Sequence, residues 1–134
     1  MRKDIVATIA ALVVACTVAG VAGATRPSSS LNLVVVGGPA GAAAVQPSYG
    51  DAITFEVSTT QTTQPNVHLR CYQGSAFVLD GWGAFWTGAL VGQNFTLSSN
   101  YWTGGAAECT ADLVAYDKRG RPQTLASISF RVNA

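Results

Sequence analysis

The sequence predicts an all-β protein: an antiparallel β-sandwich of about seven or eight strands with one disulfide, preceded by an N-terminal signal or membrane helix. Three observations lead to this fold class. After residue 30, short segments of alternating apolar and polar residues recur roughly every ten residues, separated by glycine, proline and aspartate turns. No segment there has convincing helical spacing, and two cysteines fall on the apolar phase of two such segments. A small closed barrel is the alternative architecture.

The N-terminal segment carries the features of a secretory signal peptide. Arg2 and Lys3 precede an uncharged apolar run over residues 5–24, which ends in small residues. A run of this length could also span a bilayer, so an uncleaved signal anchor is the alternative. The predicted organisation is a signal peptide or signal anchor, a polar linker and one β domain: residues 1–24, 25–30 and 31–134.

Cys16 gives the leader a third interpretation. Val13-Val14-Ala15-Cys16 resembles the lipobox of bacterial lipoproteins, in which the cysteine is lipidated and becomes the mature N-terminus. The residues that follow it are still apolar, whereas a lipoprotein usually continues into a polar tether. All three interpretations predict export, to a secreted or cell-surface location.

Cys71 and Cys109 are the two cysteines that remain after the leader. An even number in an oxidising compartment predicts a disulfide. The bridge closes a loop of 38 residues, which should stabilise the fold by roughly 3–4 kcal/mol through the unfolded state. Zinc is excluded by ligand count, because one histidine and two distant cysteines do not form a tetrahedral set. We expect no metal and no cofactor.

The strands follow from alternation and from turn residues. In chain order they are predicted over residues 31–36, 52–58, 67–72, 76–79, 82–86, 94–97, 109–116 and 125–132. Residues 40–45 are interpreted as a kinked continuation of the first strand at a sheet edge, because glycine and proline precede them. Asp80-Gly81 predicts a hairpin turn. The inward-facing residues predicted for the second and last strands are Ile53, Phe55, Val57, Ile128, Phe130 and Val132.

The last thirty residues resemble a known family. An alternating strand, the turn Asp117-Lys118-Arg119-Gly120 and a final Phe130-Arg131-Val132 resemble the closing hairpin of secreted bacterial immunoglobulin-like or fibronectin-III-like domains. The order cysteine, tryptophan, cysteine also resembles the core pin of an immunoglobulin-type sandwich. Ala107 departs from the pattern, since antibody domains have a tyrosine there. The resemblance implies an extracellular module with adhesive, structural or unknown roles, and no catalytic residue.

No catalytic arrangement is evident in the sequence. His68, the single histidine, lies on the polar phase of its strand, and no serine occupies a G-x-S-x-G elbow. Glu108 and Asp112 would lie about 13 Å apart along one strand, too far for a glycosidase pair. After residue 24 the chain has six basic and six acidic residues, without the basic stripe that nucleic acids require. We therefore expect neither an enzyme nor a nucleic-acid-binding protein.

The aromatic residues are the candidate binding residues. Trp82, Trp86, Trp102 and Tyr101 lie in glycine-rich surroundings, where exposed rings could stack on a sugar or a partner protein. Core packing is the competing interpretation for the group, and Trp102 is the tryptophan we expect at the surface.

These observations predict an exported, non-enzymatic immunoglobulin-like module that acts in binding, adhesion or structure at the cell envelope or outside it. Its expected partner is a protein or a glycan, with membrane contact only through the N-terminal segment. A carbohydrate-binding module that uses the exposed tryptophans is one alternative. A self-associating surface-fibre subunit is the other, with residues 31–45 as a poorly anchored strand that could pair with a neighbouring copy.

Overall fold

The computed structural model describes residues 28–38 and 45–134, which form two antiparallel sheets. The predicted leader, Cys16 and residues 40–44 lie outside the described residues. Within the described part of the chain, no helix has the length and apolar character needed to cross a membrane. The seven strands are β1 (Ser29–Val35), β2 (Ala52–Thr59), β3 (Asn66–Gln73), β4 (Ala76–Ala84), β5 (Phe95–Thr96), β6 (Ala107–Tyr116) and β7 (Pro122–Val132).

The strands divide into a three-stranded sheet with the order β1-β2-β5 and a four-stranded sheet with the order β4-β3-β6-β7. As predicted, the alternation of apolar and polar residues determines which face of a strand is buried. Ile53 and Phe55 are buried in β2, whereas Thr54 between them is only partly buried and Glu56 after them is exposed. The first strand pairs with β2 at seven positions, from Ser29 to Val35, so the described part of the predicted fibre-forming segment is well anchored.

The predicted turn at Asp80-Gly81 is wrong, because β4 runs without interruption from Ala76 to Ala84. Gly81 does not reverse the chain; it lies within β4, where the absence of a side chain allows close packing. A Cβ added there would lie 3.0 Å from the ring of Phe95, and one at Gly83 would lie 2.8 Å from the same ring. Both glycines therefore leave room for a phenylalanine that β5 contributes from the opposite sheet. The hairpin reverses earlier, at Gly74-Ser75.

The predicted disulfide between Cys71 and Cys109 is confirmed, and both residues are buried. The two cysteines are directly opposite each other in β3 and β6, with Cα atoms 4.1 Å apart. The bridge of an antibody domain connects the two sheets. Here both half-cystines belong to the four-stranded sheet, so no disulfide joins the two sheets within the described residues.

The connections between strands lie at two ends of the sandwich. We call one the N-terminal end: it contains Ser28 and the 60–65, 85–94 and 117–121 connections. Two backbone hydrogen bonds join the 60–65 connection to its neighbours, from Thr60 N–H to Ser28 O at 3.4 Å and from Phe85 N–H to Pro65 O at 2.9 Å. We call the other the distal end: it contains the 46–51, 74–75 and 97–106 connections and the C-terminus.

Candidate binding site on the four-stranded sheet

Trp82 and His68 form a stacked pair on the outer face of the four-stranded sheet. They are register partners on β4 and β3, and their ring centroids lie 4.0 Å apart with planes only 7° from parallel. Trp82 remains 43% exposed. Because β4 is an edge strand, no other strand among the described residues of this sheet lies beside the indole face opposite His68.

Asp80 completes this group. His68 Nε2 donates to Asp80 Oδ1 at 2.5 Å, so the imidazole is held by the stacked indole on one side and by the carboxylate on another. Asp80 is itself exposed, and a carboxylate has further acceptor positions available for a ligand. We call His68, Asp80 and Trp82 the Trp82 cluster. It combines a fixed aromatic ring with a polar group at the sheet edge.

Ion pairs cover the remainder of this outer face. Arg70 Nη2 donates to Asp112 Oδ2 at 2.5 Å, and Ser127 Oγ donates to Asp112 Oδ1 at 2.6 Å. Arg131 Nη1 donates to Glu108 Oε1 at 2.8 Å. Glu108 and Asp112, the two carboxylates considered as a possible glycosidase pair, are therefore each hydrogen-bonded to an arginine. Within the described residues no group of three or more histidine, cysteine or acidic side chains gathers as a metal site would require.

Trp102 is completely buried, so the expectation that it lies at the surface is wrong. Its indole Nε1 donates to Gly105 O at 3.1 Å, and its carbonyl accepts a hydrogen bond of 2.9 Å from Tyr49 Oη. The Tyr49 ring meets the indole edge-on, with centroids 5.3 Å apart. Ser99 Oγ accepts the backbone N–H groups of Tyr101 and Trp102, which turns the chain so that the indole enters the core.

The remaining aromatic candidates lie apart from one another. Trp86 follows the end of β4 and is half-buried. Tyr101 is 82% exposed and lines a shallow groove along the β4 edge. The groove has a volume of about 440 Å³ and is lined by Phe77, Val78, Leu79, Asp80, Ser99 and Tyr101.

Asp80 thus belongs both to this groove and to the Trp82 cluster. Sequence reasoning missed the contributions of Asp80 and Phe77, because it placed a turn where β4 continues. The alternation of Asp80 with Trp82, opposite Arg70 and His68, was the signal that could have identified this face.

The turn between β6 and β7 lies at the N-terminal end and is basic. Asp117 closes it: the backbone N–H of Arg121 donates to Oδ1 at 2.9 Å, Arg121 Nε donates to Oδ2 at 2.8 Å, and the backbone N–H of Arg119 donates to Oδ1 at 2.8 Å. These hydrogen bonds, above all the one from the Arg121 backbone, hold the pKa of Asp117 below its ordinary value. Lys118 and Arg119 point into solvent.

Comparisons with protein-family models, curated proteins and solved structures found no match to this chain. The interpretation of the site therefore depends on the geometry of its own residues.

Proposed function

We propose that this chain is an exported, non-enzymatic module with an immunoglobulin-like sandwich, and that it binds a partner at the cell envelope through the Trp82 cluster. Strand order supports the fold assignment. Constant-type immunoglobulin domains pair strands A-B-E-D in one sheet and C-F-G in the other. The orders β1-β2-β5 and β3-β6-β7 reproduce this division. The fourth strand departs from it, because β4 joins β3 in place of β5.

The observation that carries the proposal is the fixed, half-exposed indole of Trp82. An aromatic ring that is already immobilised loses little conformational entropy when a ligand covers it, so more of the contact energy appears as affinity. His68 immobilises the ring, with the two ring planes 7° from parallel. Asp80, within hydrogen-bonding distance of His68, adds a polar group of the kind that confers specificity at interfaces.

One feature of the sequence and one of the structure support an extracellular location. The leader has the order of a signal peptide, with a basic start, an apolar run and a small-residue exit. A structural disulfide such as Cys71–Cys109 persists in oxidising compartments and is rare in the cytosol.

The proposal is tested by substituting Trp82 with alanine and measuring retention on cell envelopes isolated from the producing cells. Tyr116→Ala is the matched control, because Tyr116 is also an exposed aromatic residue on the four-stranded sheet. We expect Trp82→Ala to lower retention at least tenfold and Tyr116→Ala to leave it unchanged. Unchanged retention of a folded Trp82→Ala protein would overturn the proposal, with folding verified by near-ultraviolet circular dichroism.

A glycan is the partner that one specific observation favours. The free face of the Trp82 indole can stack on the C–H face of a sugar ring, and the Asp80 carboxylate beside it can accept hydroxyl hydrogen bonds. Soluble oligosaccharides released from the envelope should then compete for binding. Loss of retention after protease treatment of the envelopes, without competition by oligosaccharides, would identify a protein partner instead.

Fibre assembly receives less support than binding. The strand proposed for exchange, β1, is paired with β2 throughout Ser29–Val35, and exchange would require breaking those pairs first.

A further inference from the structure

The N-terminal end of the sandwich presents an apolar loop tip to solvent. Leu90 is fully exposed and Val91 is 55% exposed, in the connection between β4 and β5. Gly88 and Gly92 flank them, and the whole stretch 81–107 contains no charged residue. Leaving such side chains in water has a free-energy cost that burial in an apolar medium removes.

Basic side chains lie at the same end. The 117–121 turn supplies Lys118, Arg119 and Arg121 against the single carboxylate of Asp117, a local charge of 3 − 1 = +2. The distal end carries Arg131 against Asp51 and Glu108, a local charge of 1 − 2 = −1. The domain is therefore electrostatically polarised along its length, with the positive end at the apolar tip.

The chain also enters the domain at this end. Ser28, whose carbonyl accepts the Thr60 N–H, is the first described residue, and the apolar segment 5–24 precedes it in sequence. Residues 25–27 can span at most about 11 Å. A leader that stays in the membrane as an anchor would therefore hold the N-terminal end near the bilayer.

Together these features point to one occupant. We propose that the N-terminal end of the sandwich docks on a lipid bilayer with anionic headgroups. Leu90 and Val91 enter the interfacial layer, while Lys118 and Arg119 contact lipid phosphates. Membrane contact then involves the folded domain as well as the N-terminal segment. The Trp82 cluster lies on the side of the sandwich, on β3 and β4, and stays accessible to its partner.

Insertion depth tests this orientation directly. In two variants of the mature protein, a tryptophan is added at opposite ends: Leu90→Trp at the N-terminal end and Tyr101→Trp at the distal end. Both positions are highly exposed, and the three native tryptophans contribute the same background to each variant. In vesicles of phosphatidylcholine and brominated phosphatidylglycerol, we expect the added fluorescence of Leu90→Trp to be quenched and that of Tyr101→Trp to be unaffected. Equal quenching, or quenching of Tyr101→Trp alone, would overturn the proposal.

Charge substitution tests the electrostatic contribution. A basic residue close to an anionic surface contributes roughly a fivefold gain in binding, so Lys118→Gln with Arg119→Gln should weaken vesicle binding about 25-fold. Arg131→Gln, at the distal end, should change it less than about twofold. Added salt should abolish the difference because it screens exposed charges. Equal binding to neutral and anionic vesicles, or self-association through Leu90 without vesicle binding, would contradict the proposed occupant.

Discussion

The burial of Trp102 makes a quantitative prediction. Trp102→Ala removes a completely buried indole, its hydrogen bond to Gly105 O and its edge-on contact with Tyr49. Truncation of a buried aromatic residue costs about 3–5 kcal/mol. Trp102→Phe keeps an aromatic ring but leaves the Gly105 carbonyl without its donor, which costs about 1–3 kcal/mol. Trp82→Ala removes a half-exposed ring, and we expect a loss of about 1 kcal/mol or less.

Urea denaturation monitored by far-ultraviolet circular dichroism measures this difference. With a slope of roughly 1–3 kcal/mol per molar urea for a small domain, Trp102→Ala should lower the midpoint by more than 1 M. The midpoint of Trp102→Phe should fall between those of Trp102→Ala and the unsubstituted protein. The urea midpoint of Trp82→Ala should lie close to that of the unsubstituted protein, although this variant should lose binding to its partner. A Trp102→Ala midpoint within experimental error of the unsubstituted protein, or a larger loss for Trp82→Ala, would refute the assignment of Trp102 to the core and of Trp82 to the surface.

Three further predictions concern the disulfide, the basic turn and the strand glycines. Replacing Cys71 and Cys109 with alanine should lower the free energy of unfolding by about 3–4 kcal/mol, and reduction of the unsubstituted protein should produce a similar shift in its urea midpoint. Asp117 has a lowered pKa in the folded state, so its stabilising contribution is full above the ordinary value of 3.8 and is lost as the pH falls through the folded value. The stability difference from Asp117→Asn should accordingly shrink in acid, and a difference that is independent of pH would contradict this. Gly83→Ala should cost about 1–3 kcal/mol, because its Cβ would lie 2.8 Å from the Phe95 ring. A smaller side chain at Phe95 should relieve part of that loss.

Alternation and cysteine position were sufficient to predict the two-sheet architecture and the bridge. In β2 and β6, inward-phase apolar residues such as Ile53, Phe55 and Leu113 belong to one buried core, so a local pattern reports directly on a tertiary arrangement. The disulfide followed from the same pattern, because Cys71 and Cys109 both lie on the inward phase. Pairing of the cysteines within one sheet did not follow, since strand order is a long-range property that alternation does not encode.

Prediction from neighbouring residues failed where a contact with a residue distant in sequence determines the local structure. Gly81 follows an aspartate, as it would in a hairpin, yet it is small because Phe95 approaches from the other sheet. Trp102 lies near two glycines, as a surface aromatic residue might, yet its carbonyl accepts a hydrogen bond from Tyr49, which is distant in sequence, and the Tyr49 ring packs against its indole in the core. In both cases the deciding contact comes from a part of the fold that could be identified only after the sheets were assembled.

The disulfide also determines how the domain would respond to mechanical load. It closes a ring of 38 residues that contains β4, β5 and Trp82. If the domain is pulled between its N-terminal and C-terminal strands, the load passes through β1, β2 and the Cys71 end of β3 and crosses to Cys109 through the bridge. The segment between the two cysteines then carries no load, which withholds roughly 130 Å of extended chain from the stretch. β4 and Trp82 lie in this segment, so the partner-binding edge would stay folded after the strands outside the ring have yielded.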